Sequence, residues 1–135
     1  DEFGFGRAHH RVLHFVNCHP GMRVADLLEI LKITKQSLGR VLKQLVDEGF
    51  IEQEAGKTDR RERLLYPTAR GRELAERLAA PQMKRIAKAL AASRAESHAS
   101  ISRFLHGMIG DEDRAQVSKL LNGRNARRDD LRSTK

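Results

Sequence analysis

Between Val24 and Arg70 the hydrophobic period of this chain changes twice, and the order of those changes admits few folds. Val24, Leu27, Leu28 and Leu31 recur at helical spacing. A break at Lys32-Ile33 follows, and then Leu38, Val41, Leu42, Leu45 and Val46 mark a second helix. Gly49 ends it, because glycine takes the left-handed conformation that closes a helix without a Cβ penalty. The pattern turns strand-like at Phe50-Ile51, passes through a polar tip from Ala55 to Arg61, and returns as a strand over Arg63-Leu64-Leu65-Tyr66. Two short helices, a tight turn and a basic hairpin predict a mainly α chain built on a winged helix-turn-helix with a two-stranded β wing.

The second helix carries the chemistry. Thr34 is placed to cap it, its hydroxyl accepting a backbone N–H from the first turn. At about 100° per residue, Leu38, Val41, Leu42 and Leu45 share one side, while Gln36, Arg40 and Lys43 lie opposite. Ser37 and Gln44 flank that outer face, and Gly39 leaves room for a close approach. Such a face is ordinarily the solvated side of an amphipathic helix. It is also equipped to read a duplex: Gln bonds adenine, Arg bonds guanine bidentately, and Lys and Ser suit guanine or phosphate. The hairpin tip favours the second reading. Lys57, Arg60, Arg61 and Arg63 cluster there with Asp59 and Glu62. A narrow minor groove concentrates negative potential and draws in arginine. DNA would repel Asp59, so its expected task is internal, holding Arg61 or a backbone N–H in position.

On these residues the chain resembles the MarR family of bacterial winged-helix regulators. The matching stretches are Val24-Ala25-Asp26-Leu27-Leu28, Ile33 through Leu42, Leu45-Val46-Asp47-Glu48-Gly49-Phe50-Ile51, Asp59-Arg60-Arg61, and Thr68-Ala69-Arg70-Gly71-Arg72-Glu73-Leu74. The resemblance implies an obligate dimer with recognition helices in successive major grooves and wings in flanking minor grooves. By matching position, Gln36, Ser37 and Arg40 are the base-reading candidates. Thr34, Lys35, Lys43, Lys57, Asp59, Arg60 and Arg61 are the backbone and wing candidates. Four positions depart from the family pattern. Arg23 stands where Ser or Thr usually caps the first motif helix, and Lys32 takes a turn position often held by Gly. Leu28 replaces a small residue at the helix crossing, and Pro67 replaces a bulky apolar residue after the second wing strand.

Charge agrees with a nucleic-acid partner. The 135 residues hold 26 Lys+Arg against 18 Asp+Glu, a net charge of +8, and a strongly basic small chain meets nucleic acid or an anionic membrane. No apolar run approaches the ~18 residues of a membrane span, and no signal peptide is visible. With one Tyr and no Trp, base-stacking single-strand binding is disfavoured. A single Cys excludes an internal disulfide framework and fits a reducing cytoplasm. The chain starts at Asp1 rather than Met, so a piece of a longer protein is expected. Too few residues precede His9 to supply the full N-terminal helix that relatives add to their dimer interface.

The remainder reads as helical. Residues 6–17 form a short helix with Val12, Leu13, Phe15 and Val16 inside, closed by Pro20-Gly21. Thr68 is the expected cap of a long helix carrying Leu74 and Leu78, and Pro81 is expected to kink or restart it. Ile86, Leu90, Ile101, Leu105 and Ile109 continue an apolar stripe past an Ala/Ser-rich stretch, residues 91–100, where a break or bend is expected. A final helix with Val117, Leu120 and Leu121 is expected to close at Asn122-Gly123. Residues 22–67 thus form the DNA-binding domain, residues 5–21 and 68–121 a helical dimerisation region, and residues 122–135 a charged tail expected to be disordered. A stripe of this size needs a symmetry mate, with Ile101, Leu105 and Leu120 between subunits. A two-fold axis would set the recognition helices about 34–36 Å apart on a palindromic site.

Other chemistry has weaker support. His10, His14 and Cys18 share one helix face, with His9 and His19 nearby. These are zinc-ligand types, but i to i+8 spans about 12 Å, too far for one ion, so interface histidines are expected and no metal. Nothing in the sequence supplies a cationic helix N-terminus to activate Cys18, which reads as a small buried hydrophobe. Ser37 lacks the glycines of a nucleophile elbow, so neither an enzyme nor a cofactor is expected. The family resemblance implies a small-molecule effector in a crevice lined by the His9–Val16 helix and the start of the Thr68–Leu78 helix, with His10 and His14 facing an anion. The expectation is a homodimeric, sequence-specific double-stranded DNA-binding transcriptional regulator, a repressor in the cytoplasm. The alternative is a basic winged-helix protein acting by nonspecific nucleic-acid binding or protein contact.

Overall fold

The apolar stripes read from the sequence before Thr68 become packed helix faces. The computed structural model describes residues 3–93 and 97–133. Its elements are α1 (Arg7–Cys18), β1 (Met22–Arg23), α2 (Val24–Leu31), α3 (Lys35–Asp47), β2 (Ile51–Ala55), β3 (Arg63–Pro67), α4 (Ala69–Ala92), α5 (His98–Gly107) and α6 (Asp111–Ser133). Two units divide the chain, Asp1–Pro81 and Gln82–Lys135.

The first unit owns a hydrophobic core. Val12, Leu13 and Val16 of α1 pack with Leu27 and Leu31 of α2, Leu38, Val41, Leu42 and Leu45 of α3, and Leu65 of β3. Phe5, Met22, Phe50, Ile51, Leu74 and Ala75 complete it. Phe15, expected inside, is only half-buried. The sheet is antiparallel with order β1-β3-β2, pairing Gln53 with Leu65 on one side of β3 and Met22 with Leu65 on the other. The wing is therefore a two-stranded hairpin with a third, two-residue strand along its inner edge. Two residues carry no readable period, which is why β1 escapes a pattern-based reading.

Local details fix how these elements join. Lys32 is the left-handed cap of α2, at φ 51 and ψ 44, and the only non-glycine with positive φ among the described residues. Its N–H donates to the Leu28 carbonyl at 3.1 Å. At the other end of the motif, Gly49 takes φ +75. The Thr68 hydroxyl donates to the Gly49 carbonyl at 2.7 Å and accepts the Gly71 N–H at 3.0 Å, so one side chain caps α4 and ties it to the end of α3. A Cβ on Gly71 would lie 2.0 Å from the Phe50 carbonyl oxygen, so only glycine allows this approach. Pro81 neither ends nor restarts α4, which runs through it to Ala92.

An aromatic cluster that the periodicity does not reveal seals the base of the core. Phe3 and Phe5 meet Phe50 edge-on at 5.2 and 5.4 Å between ring centroids. The Arg70 guanidinium lies over the Phe50 ring at 4.4 Å and donates to the Glu48 carbonyl at 2.7 Å. This cation–π contact adds to the burial of the rings.

The second unit is different. None of its described side chains is buried, and Phe104, Leu105 and Met108 are 68%, 57% and 72% exposed. α5 starts at His98 with Ser97 as its cap, accepting the Ser100 N–H at 3.3 Å. α4 ends at Ala92, so the expected break falls between these helices, although residues 94–96 lie outside the described residues. The expected end at Asn122-Gly123 and the disordered tail need correction. α6 passes through both residues and remains helical to Ser133; residues 134–135 lie outside the described residues. One interior glycine costs a helix only about 1 kcal/mol, and the following stretch contains Ala, Arg and Leu with no proline to stop it.

Candidate nucleic-acid interface

The N-terminus of α3 is locked by its own hydroxyls. The Thr34 hydroxyl oxygen accepts the Ser37 N–H at 3.1 Å, and its O–H donates to the Ser37 hydroxyl at 2.9 Å. This leaves Ser37 half-buried and fixes the first turn, beyond which Lys35, Gln36, Arg40 and Lys43 stand exposed. A Cβ on Gly39 would meet nothing within 4 Å, so the surface beside Arg40 is open at Gly39. Lys43 is ion-paired with Asp47 one turn on.

Gln44 does not belong to this outer face. Its carbonyl oxygen lies 2.8 Å from His9 Nε2, and its amide donates to Glu48 at 3.1 Å. His9 Nδ1 accepts the Gly6 N–H at 3.2 Å, so Nε2 carries the ring proton and donates to Gln44. Stacked on Phe5 at 4.8 Å, His9 is a structural link between α1 and α3. Pattern reading set Gln44 at the flank of the outer face because it scores residue type and angle, not a partner on another helix.

The wing tip is a preorganised loop. The Gly56 N–H donates to the Glu62 carbonyl at 3.0 Å, and the Glu62 N–H donates to the Asp59 carbonyl at 3.1 Å. A Cβ on Gly56 would come within 2.4 Å of the Asp59 carbonyl oxygen, so the loop closes only around glycine. Asp59 turns inward: its Oδ1 accepts the Arg61 N–H at 2.9 Å and Arg61 Nε at 3.3 Å. Lys57, Arg60, Arg61 and Arg63 all remain exposed around it. Cations carried on a tip already held by these bonds lose little backbone entropy on meeting a polyanion.

Arg23 was legible only as a poor helix cap. In the structure the Asp26 carboxylate supplies the cap, accepting the Arg23 backbone N–H at 3.1 Å. The Arg23 guanidinium grips Asp26 at 2.6 Å and reaches Glu62 of the wing at 3.1 Å. These hydrogen bonds, Asp26 first and Glu62 second, raise its pKa further above the usual arginine value. The sequence signal was the opposite charges of Arg23 and Asp26 three residues apart, but the 39-residue separation of Arg23 and Glu62 hides that pairing.

The remaining candidates are dispersed. On α1, His10 is half-buried, His14 is exposed, and Cys18 is half-buried rather than buried. His14 Nε2 lies 3.9 Å from Cys18 Sγ. Among the described residues no three His, Cys, Asp or Glu side chains gather to hold a metal, and no helix is long and apolar enough to cross a membrane. In the second unit Ile101 and Leu120 are half-buried, and Leu105 lines an open groove of about 670 Å³ with Ile109, Leu121 and His106.

A family model described as the MarR family matches residues 3–62. The chain is 40% identical over 109 residues to the HTH-type transcriptional regulator PetP of Rhodobacter capsulatus. That match covers 81% of this chain and 66% of the relative, just under two thirds of its length. Among solved structures, a SlyA-like transcription regulator from Listeria monocytogenes superposes with a TM-score of 0.60 at 20% identity, over 91% of this chain and 77% of that one. A complex of S. aureus MepR with DNA gives 0.56 at 19% identity, over 70% of this chain and 84% of that one. With the helix pair, wing and family match in agreement, the chain belongs to the MarR family and carries its winged helix-turn-helix fold.

Proposed function

We propose that the protein is a sequence-specific, double-stranded DNA-binding transcriptional regulator, acting as a homodimeric repressor on a palindromic operator. The observation that carries this reading is the exposed row on α3, Lys35, Gln36 and Arg40, beside a wing tip that holds four exposed cations on a closed loop. In this reading Gln36, Ser37 and Arg40 read base edges. Thr34, Lys35 and Lys43 meet phosphates, and Lys57, Arg60 and Arg61 enter the flanking minor groove while Asp59 holds Arg61. The similar fold of MepR, solved with DNA, and the transcriptional role named for PetP support it. Such a protein works in the bacterial cytoplasm, where the chromosome lies.

Assembly follows from the second unit. A unit without buried side chains among its described residues needs a partner surface, and a second copy supplies one through Ile101, Leu105 and Leu120. An anionic effector near His10 and His14 completes the proposal. To release DNA 100-fold it would have to favour the non-binding dimer by about 2.7 kcal/mol. Binding to the duplex upstream of its own gene, against a random duplex across a salt series, tests the core of this reading. Tighter binding to the upstream site is expected. Equal affinity at every salt concentration favours nonspecific nucleic-acid binding instead.

A further inference from the structure

The wing has to reach the duplex at a fixed distance from α3, yet its tip is held mostly by its own backbone. The side chain that connects it to the helical motif is Arg23. This residue is the second residue of β1, paired with Leu64 of the central strand, and also the N-cap of α2. Its guanidinium points to both sides of that junction. Nε bonds both carboxylate oxygens of Asp26 at 3.1 and 3.2 Å, and Nη2 bonds one of them at 2.6 Å. Nη1 then reaches Glu62 at 3.1 Å. Glu62 is the backbone hinge of the tip: it receives the Gly56 N–H and donates to Asp59, the residue that holds Arg61. A chain of bonds therefore runs from the start of α2, through Arg23 and Glu62, to the exposed Arg61.

We propose that Arg23 is a positioning residue for DNA binding, a strut that sets the height and angle of the wing without itself touching DNA. The inference rests on the DNA-binding reading above and adds a residue to it. A guanidinium suits the task because its planar fork serves two carboxylates in fixed directions, where an ammonium is a point charge on a flexible stem. Arg23 and Glu62 keep 49% and 37% of their side-chain surface exposed, so this pair adds little to global stability. Its effect lies in the placement of the wing. Arg23 also offsets one of the two negative charges of Asp26 and Glu62, which would otherwise weaken the field of the wing cations.

The test uses the full chain and a mixed-sequence duplex of about 40 base pairs at low salt, where phosphate contacts dominate affinity. Arg23→Lys keeps the charge and removes the fork. It is expected to weaken binding about fivefold, to lower the salt dependence, and to leave the melting temperature almost unchanged. The same substitution in an Arg61→Ala background should have a smaller effect, because the strut acts in part through that arginine. Glu62→Ala gives a second reading. By charge alone it would tighten binding, whereas loss of the strut weakens it. Wild-type affinity in Arg23→Lys, an undiminished loss in the Arg61→Ala background, or tighter binding by Glu62→Ala would each overturn the proposal while leaving DNA binding intact. A wild-type chain that retains no duplex at low salt would overturn both the strut and the function it serves.

Discussion

The two units of this chain show two ways of using apolar residues. In Asp1–Pro81 leucines and valines from four helices and a sheet meet each other, and Leu13, Leu27, Leu45 and Leu65 have almost no surface left in water. In Gln82–Lys135 the same residue types sit on helices at similar spacing, yet Met83, Ile86, Leu105 and Leu121 are each at least half exposed. The first unit buries its core within a single copy. The second carries a surface suited to a partner, which is the physical basis for proposing a homodimer. A hydrophobic period identifies the buried side of a helix but not the chain that buries it.

The largest expected effect breaks that contrast at its weak side. Ile101→Asp with Leu120→Asp would place two unpaired charges in the proposed subunit interface. Sedimentation should then show monomers, and operator affinity should fall about 100-fold or more, because each half-site alone supplies only part of the binding energy. A wild-type chain that already sediments as a monomer at micromolar concentration would end the dimer proposal.

Truncation on the other side of the comparison should register as lost stability. Leu45→Ala removes a fully buried side chain of α3, and a loss of about 2–5 kcal/mol in denaturant unfolding is expected. Leu105→Ala, at an exposed position, should cost the monomer well under 1 kcal/mol and weaken self-association instead. Similar losses of unfolding free energy at both positions would mean that the second unit owns a core of its own.

Within the proposed interface the comparison is between helix and wing. Arg40→Ala should weaken operator binding by about 1–3 kcal/mol and relax preference at one base pair per half-site. Lys57→Ala should weaken all duplexes alike and reduce the salt slope by about one. Unchanged sequence preference in the Arg40 variant would displace α3 from the role of reading helix.

Much of this was legible in the sequence because it was local. The α3 stripe is written within eight residues and the Thr34 cap, the Gly49 stop and the Thr68 cap within four, and all stand in the structure. What was hidden depends on distance along the chain or on a missing signal. The Phe3–Phe5–Phe50 cluster joins segments 45 or more residues apart. The His9–Gln44 and Arg23–Glu62 bonds span 35 and 39 residues. The continuation of α6 through Gly123 shows the opposite failure, a local stop signal overridden by the helix formers on both sides.

The smallest expected effect concerns Lys32, a place where sequence and structure agree on a cost. Its φ of 51 lies in the left-handed region, where a Cβ crowds the backbone and glycine does not. Lys32→Gly would relieve that strain but would also add freedom to the unfolded chain, which opposes the gain by about 0.4–1 kcal/mol. The strain is of order 1–2 kcal/mol, so the relief exceeds the entropic loss by about 0 to 1.6 kcal/mol. A small rise in melting temperature is therefore expected. Lys32→Val should move it the other way, since a β-branched side chain fits this region worst. Because Lys32 sits in the turn between α2 and α3, the same pair of variants separates stability from function. If Lys32→Gly melts higher yet binds DNA more weakly than the loss of one phosphate contact explains, the strained turn helps to set the angle at which α3 meets the groove. If affinity falls only by the share of a single lysine, the residue contributes its charge and the turn tolerates it.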